Sequence, residues 1–201
     1  MHIEFLVEEP SAEAALHNIV PKIIGPGNTY DIHTYEGKFD LLKKLPNRLR
    51  GYRSWLPSGW IIVILIDEDN KGCQLVKRQL EDIALKENLY TKSNKGINGS
   101  FQVINRLAIQ ELEAWFFGDP IALRNAYPKV PKGLDRNKKY RNPDAIEKPS
   151  KALGQVLQRV GYHRAGLPKK EAARRISGYM DPMRNSSKSF QVFRDTLNQV
   201  C

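Results

Sequence analysis

Apolar positions in the first 110 residues alternate between short continuous runs and helical periodicities. The strand-like runs cover residues 2–7, 30–35, 60–66 and 101–109. Between them, apolar residues recur at the three- and four-residue spacing of amphipathic helices, over residues 11–23, 38–49 and 71–87. This β-α-β-α-β-α-β order predicts an α/β fold with a parallel, Rossmann-like sheet and right-handed crossovers.

The run at 60–66 is almost wholly apolar, which predicts a central strand buried on both faces. Helical spacing predicts that Phe39 in the second helix and Leu75 in the third point toward the core. Beyond the sheet, a Pro-, Lys- and Asn-rich stretch precedes three short helical segments, at about 150–160, 168–180 and 188–199. We therefore expect a core at 1–120 and a basic loop and mainly helical extension at 121–201.

Composition adds few constraints but excludes several classes of protein. The chain has 201 residues with 41% hydrophobic positions, as expected of one globular domain with a small appendage. No apolar run approaches the roughly 18 residues of a membrane span, and the N-terminal residues lack the pattern of a secretory signal. Cys73 and Cys201 are too few for a disulfide framework or a zinc knuckle. A cytoplasmic protein without membrane contact is the expectation.

Charge is distributed very unevenly along the chain. The formal net charge is +10, of which residues 1–120 contribute −2 and residues 121–201 contribute +12. Such asymmetry favours a nucleic-acid or phosphate partner for the C-terminal part, the alternative being a solvated basic face. Tyr140 and Tyr162 lie among the basic groups, where they could stack on bases. The candidate nucleic-acid-binding residues are Lys138, Lys139, Arg141, Lys148, Lys151, Lys169, Lys170, Arg174 and Arg175.

Acidic residues follow three of the four strand-like runs. They are Glu8 and Glu9, then Asp67, Glu68 and Asp69, and finally Glu111 and Glu113. Because ligands of parallel sheets bind at the carboxyl ends of strands, these clusters can converge on one crevice. Carboxylates held close together raise one another's pKa, and a divalent cation such as Mg²⁺ or Mn²⁺ relieves that repulsion. The alternative is that the acids only cap the following helices.

The spacing within the second and third clusters is informative. In extended backbone, Asp67 and Asp69 face the same side and can address one metal, whereas Glu68 points to solvent. Glu111 and Glu113 both face the site if their segment is extended, but only one of them does if it is helical. Trp115 is expected to be a core residue.

Other catalytic arrangements have little support. The sequence contains neither a Gly-x-x-x-x-Gly-Lys-[Ser/Thr] phosphate loop nor a Gly-x-Ser-x-Gly elbow. The four histidines, at 2, 17, 33 and 163, have no metal-ligand spacing, and His33 is expected to be an ordinary strand residue. Cys73 lies near a helix start without an implied partner base.

These acidic motifs resemble the Toprim (topoisomerase–primase) superfamily. Residues 7–12 (Val-Glu-Glu-Pro-Ser-Ala) are similar to the first motif of type IA topoisomerases, with Glu8 at the catalytic glutamate, and residues 66–69 (Ile-Asp-Glu-Asp) match the second motif. Residues 113–115 (Glu-Ala-Trp) are similar to an element of small stand-alone Toprim proteins related to OLD-family nucleases. Many of those are encoded beside AAA or ABC-type ATPases in bacterial defence clusters.

The resemblance implies a Toprim-like core and a metal-dependent nuclease. Glu8, Asp67, Asp69 and Glu113 would be the catalytic residues and, together with Glu111 and Glu9, the metal ligands. An ATPase would be the partner protein in a defence system, and a homo-oligomer is left open. The chain departs from many Toprim nucleases, which have Gly at the position of Glu9 and an acid where Ala12 stands. A nucleic-acid-binding or regulatory subunit with an inactive site is therefore the alternative.

Overall fold

The computed structural model describes residues 1–69 and 72–201, which form two compact units. The first unit comprises residues 1–10 and 27–107, and the second comprises residues 11–26 and 108–201. The boundary expected at residue 120 therefore lies inside the second unit, which also contains the first helix. The expected start of the third helix, at Lys71, lies outside the described residues.

The first unit is built on a four-stranded parallel sheet. Its elements are β1 (His2–Val7), β2 (Thr29–Thr34), α2 (Lys38–Trp55), β3 (Trp60–Asp67), α3 (Cys73–Lys86) and β4 (Val103–Ala108). The strand order is β2-β1-β3-β4, with β1 parallel to both of its neighbours. The backbone N–H of Ile62 donates to the carbonyl of Gln102 over 2.8 Å just before β4. The expected α/β architecture with a Rossmann-like parallel sheet is confirmed.

One face of the sheet and two helices form the core of the first unit. Leu6, Ile62 and Ile64 project from β1 and β3 onto this face, as the two-residue period of strands requires. They share a hydrophobic cluster with α2 and with α3. All residues of β3 after Trp60 are buried, so the expectation of a strand covered on both faces is confirmed.

Two helix positions differ from the expectation. Phe39 is 82% exposed and Leu75 is 64% exposed. In α3 the buried residues Val76, Leu80 and Ala84 are spaced by four, and Leu75 lies about 100° away from that stripe. Phe39 lies in the first turn of α2, two residues before the first buried leucine.

The second unit is helical. Its elements are α1 (Pro10–Ile24), α4 (Glu113–Phe117), α5 (Pro120–Ala126), α6 (Pro149–Arg159), α7 (Lys169–Tyr179), α8 (Lys188–Val200) and the short 3₁₀ turns Leu134–Arg136 and Pro143–Ala145. Trp115 is fully buried against Phe190 and Phe193, and its indole N–H donates to Ser189 over 3.0 Å. The expectation that Trp115 is a core residue is confirmed. Among the described residues, no helix is long and apolar enough to cross a membrane.

A buried ion pair organises the start of α5. Asp119 is fully buried and accepts two hydrogen bonds of 2.8 Å from the Arg184 guanidinium. The same carboxylate accepts the backbone N–H groups of Ala122 and Asp181, each over 3.0 Å, so it is also the N-cap of α5. The ionised carboxylate has enough acceptor sites for all four donors, and no neutral side chain does.

We expect Asp119→Ala to lower the free energy of unfolding by about 3 kcal/mol, because it removes a helix cap and leaves the backbone N–H groups of Ala122 and Asp181 without their acceptor. Urea denaturation of the purified chain measures the effect. Asp195→Ala is the matched control, since it breaks the more exposed Arg194 ion pair and should cost less than about 1 kcal/mol. Equal losses in the two variants would contradict the assignment.

Candidate functional site

Two acidic residues lie next to one another at the edge of the first unit where β1 and β3 end. Glu8 directly follows β1, and Asp67 is the last residue of β3. The two strands are adjacent and parallel, and the backbone N–H of Asp67 donates to Oε2 of Glu8 over 3.1 Å. The carboxylates at these strand ends are termed the acidic edge: Glu8, Glu9, Asp67, Glu68 and Asp69.

The acidic edge lies where the winding of the sheet reverses. The first crossover places β2 on one side of β1, and the next returns the chain to β3 on the other side. In open parallel sheets, ligands bind outside the carboxyl ends of the strands at such a reversal, because the adjoining loops separate there. The structure therefore brings Glu8 and Asp67 to the position where a sheet of this order holds a ligand.

Burial perturbs the Glu8 carboxyl. It raises the pKa of Glu8 above its ordinary value, and the negative charges of Asp69 and Glu9 act in the same direction. The Asp67 N–H and the Lys38 ammonium oppose this rise without cancelling it. A cation close to Glu8 would favour its charged form.

Lys38 is a member of the site that the sequence reasoning missed. It is the first residue of α2, its side chain is only 10% exposed, and its Nζ lies 2.6 Å from Oδ2 of Asp69. The signal available in the sequence was weak, because a lysine at a helix start is common and its partner lies 31 residues away. Lys38 supplies a positive charge inside the acidic edge.

The sequence pattern predicts extended backbone from Asp67 to Asp69, but the chain leaves the extended conformation after β3. Asp69 has φ 55°, in the left-handed region, so the two-residue alternation that would align it with Asp67 ends with the strand. Glu68, which was expected to point to solvent, is 5% exposed and accepts the backbone N–H of Gly72 over 2.5 Å. The acid that serves the start of α3 is therefore Glu68.

Glu111 and Glu113 belong to the second unit. Strand β4 ends at Ala108 and helix α4 begins at Glu113, so Glu111 lies in the turn between them. Glu113 is 1% exposed, and one of its oxygens lies 3.8 Å from Nζ of Lys169. Glu111 accepts the backbone N–H of Ser150 over 2.6 Å. Both carboxylates thus contact the basic C-terminal part of the chain.

The donor set of the acidic edge suits a hard cation. All of its ligands are carboxylate oxygens, and Mg²⁺ is commonly held by one or two carboxylates together with water and substrate phosphate. Glu8 and Asp67 meet that requirement, and Asp69 could join them by leaving Lys38. Within residues 1–69 and 72–201, the one group of three His, Cys, Asp or Glu side chains with ligand atoms within 4.8 Å of one another is elsewhere, at His2, Glu4 and Asp31. The carboxylates of the acidic edge would therefore have to rotate before they could coordinate one metal ion.

Four of the candidate nucleic-acid-binding residues line one cavity of the second unit. Lys138, Lys139, Lys148 and Lys151 surround a volume of about 420 Å³, together with polar groups such as Gln155. All four lysines are exposed, and we term this feature the basic cavity. The basic cavity is large enough to hold a phosphate group together with the groups bonded to it.

The other basic candidates are more dispersed. Arg141 and Arg174 are exposed. Lys170 lies 3.4 Å from a carboxylate oxygen of Glu13, and the Arg175 guanidinium lies 4.9 Å from the centroid of the Tyr127 ring.

The two tyrosines expected to stack on bases do not present free rings. Tyr140 is 4% exposed and stacks on Phe117 with ring centroids 5.1 Å apart. Tyr162 is half-buried and packs edge-on against Tyr127. Their apolar rings contribute to the core of the second unit, so the stacking expectation is wrong for Tyr140.

Fold and site together define an α/β protein with an all-parallel sheet and carboxylates at its strand-order reversal. The family model described as a domain of unknown function (DUF4276) matches residues 7–198, so the chain belongs to that family. Among solved structures, the chain is similar to the C-terminal region of the OLD protein of Xanthomonas campestris pv. campestris. That similarity has 14% sequence identity and a TM-score of 0.47, and it covers 98% of this chain and 94% of the other. No match was found among curated proteins.

Glu111 is expected to act as a remote cap of α6. That helix has no side-chain cap of its own, and Glu111 accepts an N–H from its first turn. We expect Glu111→Ala to lower the free energy of unfolding by about 1–2 kcal/mol, measured by urea denaturation. Asp135→Ala, an exposed acid of the same unit, should change it by less than about 0.5 kcal/mol. A Glu111 variant as stable as the control would contradict the capping role.

Proposed function

We propose that the protein is a Mg²⁺- or Mn²⁺-dependent phosphodiesterase that cleaves DNA or RNA. The observation that carries this proposal is the contact between Glu8 and Asp67 at the strand-order reversal of the sheet. The likeness of residues 7–12 and 66–69 to Toprim motifs supports the same reading.

Glu8, Asp67 and Asp69 would hold the metal, and the motif resemblance implies Glu113, with Glu111 or Glu9, as further ligands. When bound, the metal would polarise the scissile phosphate and activate a water, and a second ion, if the site holds two, would stabilise the leaving oxygen. Asp67 keeps Glu8 oriented through its backbone N–H, whichever side chain it carries.

Lys38 would have two roles at this site. In the structure it offsets the charge of Asp69 at 2.6 Å. If Asp69 turns toward a metal, the Lys38 ammonium is free to pair with a phosphate oxygen. The side chain is largely buried, so its position changes little between these two states.

The basic cavity would bind the nucleic-acid backbone. Four lysines around one volume of about 420 Å³ suit successive phosphates, and lysine binds phosphate as a point charge without sequence preference. The motif resemblance also supports an AAA or ABC-type ATPase as the partner that controls this activity in anti-phage defence.

We expect Asp67→Asn to lower cleavage by more than about 100-fold, the scale of losing one electrostatic contact to the transition state, while nucleic-acid affinity stays unchanged. Cleavage of a mixed DNA, RNA and tRNA panel is measured with Mg²⁺, Mn²⁺ or EDTA, and affinity is measured by fluorescence anisotropy. Asp82→Asn is the control, because Asp82 is an exposed acid of the same unit. Lost affinity with retained cleavage in Asp67→Asn would refute the assignment.

The double variant Lys148→Ala/Lys151→Ala should weaken binding and reduce the slope of log affinity against log salt by about 2, the value for two lost phosphate contacts on duplex DNA. Anisotropy titrations between low and moderate salt give the slope. Lys43→Ala/Lys86→Ala removes two exposed lysines from the first unit and should leave the slope unchanged. Equal slopes in both double variants would refute the basic cavity as the contact.

A second candidate function is a nucleic-acid-binding or regulatory subunit without turnover. The observation that favours it is the Lys38–Asp69 ion pair, together with Ala12 where many Toprim nucleases have an acid. In that case the wild type binds nucleic acid with a steep salt dependence but cuts nothing in either metal. Repeating the cleavage assay with the proposed ATPase partner distinguishes an inactive site from one that is active only with that partner.

A further inference from the structure

We propose a second divalent-metal site of zinc type at the other end of the sheet, formed by His2, Glu4 and Asp31. The three side chains come from neighbouring strands, His2 and Glu4 from β1 and Asp31 from β2. In the strand register Glu4 stands opposite Asp31, and alternate residues share a face, so all three project to one side of the sheet.

Distances at this cluster match metal coordination better than hydrogen bonding. His2 Nε2 lies 3.4 Å from Oε1 of Glu4 and 3.6 Å from Oδ2 of Asp31. Ligand atoms bound at about 2.1 Å to a tetrahedral zinc lie about 3.4 Å apart. His2 Nε2 is buried and makes no hydrogen bond in the structure. Nε2 thus lies beside two carboxylate oxygens at the spacing of ligand atoms around one ion.

The surrounding contacts orient the ligands as in known metal sites. His2 Nδ1 lies 2.7 Å from the Thr29 hydroxyl, which can accept a hydrogen bond from Nδ1–H in the tautomer that leaves Nε2 as the ligand atom. The second oxygen of Glu4 is held by His33 Nε2 at 2.6 Å and by the Tyr52 hydroxyl at 2.9 Å, so Oε1 is left for the metal. Both ligands of β1 are therefore fixed before an ion arrives.

The type of ion follows from the ligands and their exposure. One imidazole and two carboxylates favour zinc or a similar transition ion over Mg²⁺, which prefers oxygen alone. The side chains of His2 and Glu4 are 11% and 6% exposed, whereas that of Asp31 is 68% exposed. The fourth position therefore faces solvent, as in zinc sites that keep an exchangeable water.

This site is independent of the acidic edge. Its ligands lie at the beginning of β1, and Glu8 follows the end of the same strand, about 20 Å away for six extended residues. The sequence signal was the pair of alternations His2-x-Glu4 and Asp31-x-His33 on adjacent strands. Spacing within one segment does not reveal this signal, because the ligands come from two strands that only the fold brings together.

The test is zinc binding to the purified full-length chain after removal of metal with EDTA. Isothermal titration calorimetry with Zn²⁺ should show one ion per chain bound at this site, and Co²⁺ should give the absorption bands of a site with nitrogen and oxygen ligands. We expect His2→Ala and Asp31→Ala each to weaken zinc binding by at least about tenfold. Asp31→Ala removes an exposed side chain and so keeps the test valid if His2→Ala folds poorly.

Two control variants separate this site from others. His17→Ala removes an exposed histidine of the second unit, and Asp67→Asn alters the acidic edge, so neither should change this zinc affinity. Failure of the wild type to bind zinc stoichiometrically would overturn the proposal. So would an Asp31→Ala variant that binds as tightly as the wild type, or an affinity that falls only in Asp67→Asn. The result is independent of cleavage, and the nuclease proposal stands or falls separately.

Discussion

The pairing of β1 with β3 is the constraint on which the rest of the first unit depends. Both strands carry apolar residues on both faces, so hydrophobic burial alone would tolerate a shift of one residue between them. Glu4 removes that ambiguity, because it is buried among His33 and Tyr52 and would move to the opposite face if β1 slipped. A buried charge that needs specific partners thus sets the register of an otherwise uniform pair of strands.

The same register determines the acidic edge. Glu8 lies within hydrogen-bond distance of the Asp67 N–H because the register pairs Val7 with Leu65, which leaves Glu8 and Asp67 only one residue out of step at the same edge. The pKa of Glu4 shows what it takes to keep a buried carboxylate charged. Burial alone would raise this pKa, but the hydrogen bonds from His33 and Tyr52 bring it below its ordinary value. Glu8 has no comparable set of donors, so its pKa stays above the ordinary value. The two ends of β1 therefore hold carboxylates in opposite electrostatic conditions.

The order of elements and the meeting of Glu8 with Asp67 could be predicted from sequence. Both depend on local periodicity and on the general rule that parallel strands end at one edge. Lys38 and the burial of Glu68 could not be predicted, since they depend on how a loop and a helix start pack across the chain. The left-handed Asp69 is a further case, because strand alternation says nothing about the residue after the strand has ended. Tyr140 shows the converse limit: an aromatic residue within a basic run indicates a binding residue, whereas the ring of Tyr140 is buried in the core.

The uneven distribution of charge along the chain bears on why a cation would favour the proposed activity. Carboxylates at the acidic edge repel a phosphate chain, and one ammonium, that of Lys38, cannot offset five acids. Long-range attraction must then come from the C-terminal residues, whose net charge of +12 is far larger than the chain needs for solubility. Such attraction would bring a polyanion to the protein, but the carboxylates of the acidic edge would still repel its phosphates at short range. Only a positive charge bound among Glu8, Asp67 and Asp69 does so, because the Coulomb energy is largest at the shortest distance. Under the proposed function, the basic extension would capture the polyanion and a metal at the acidic edge would allow its phosphates to approach the carboxylates.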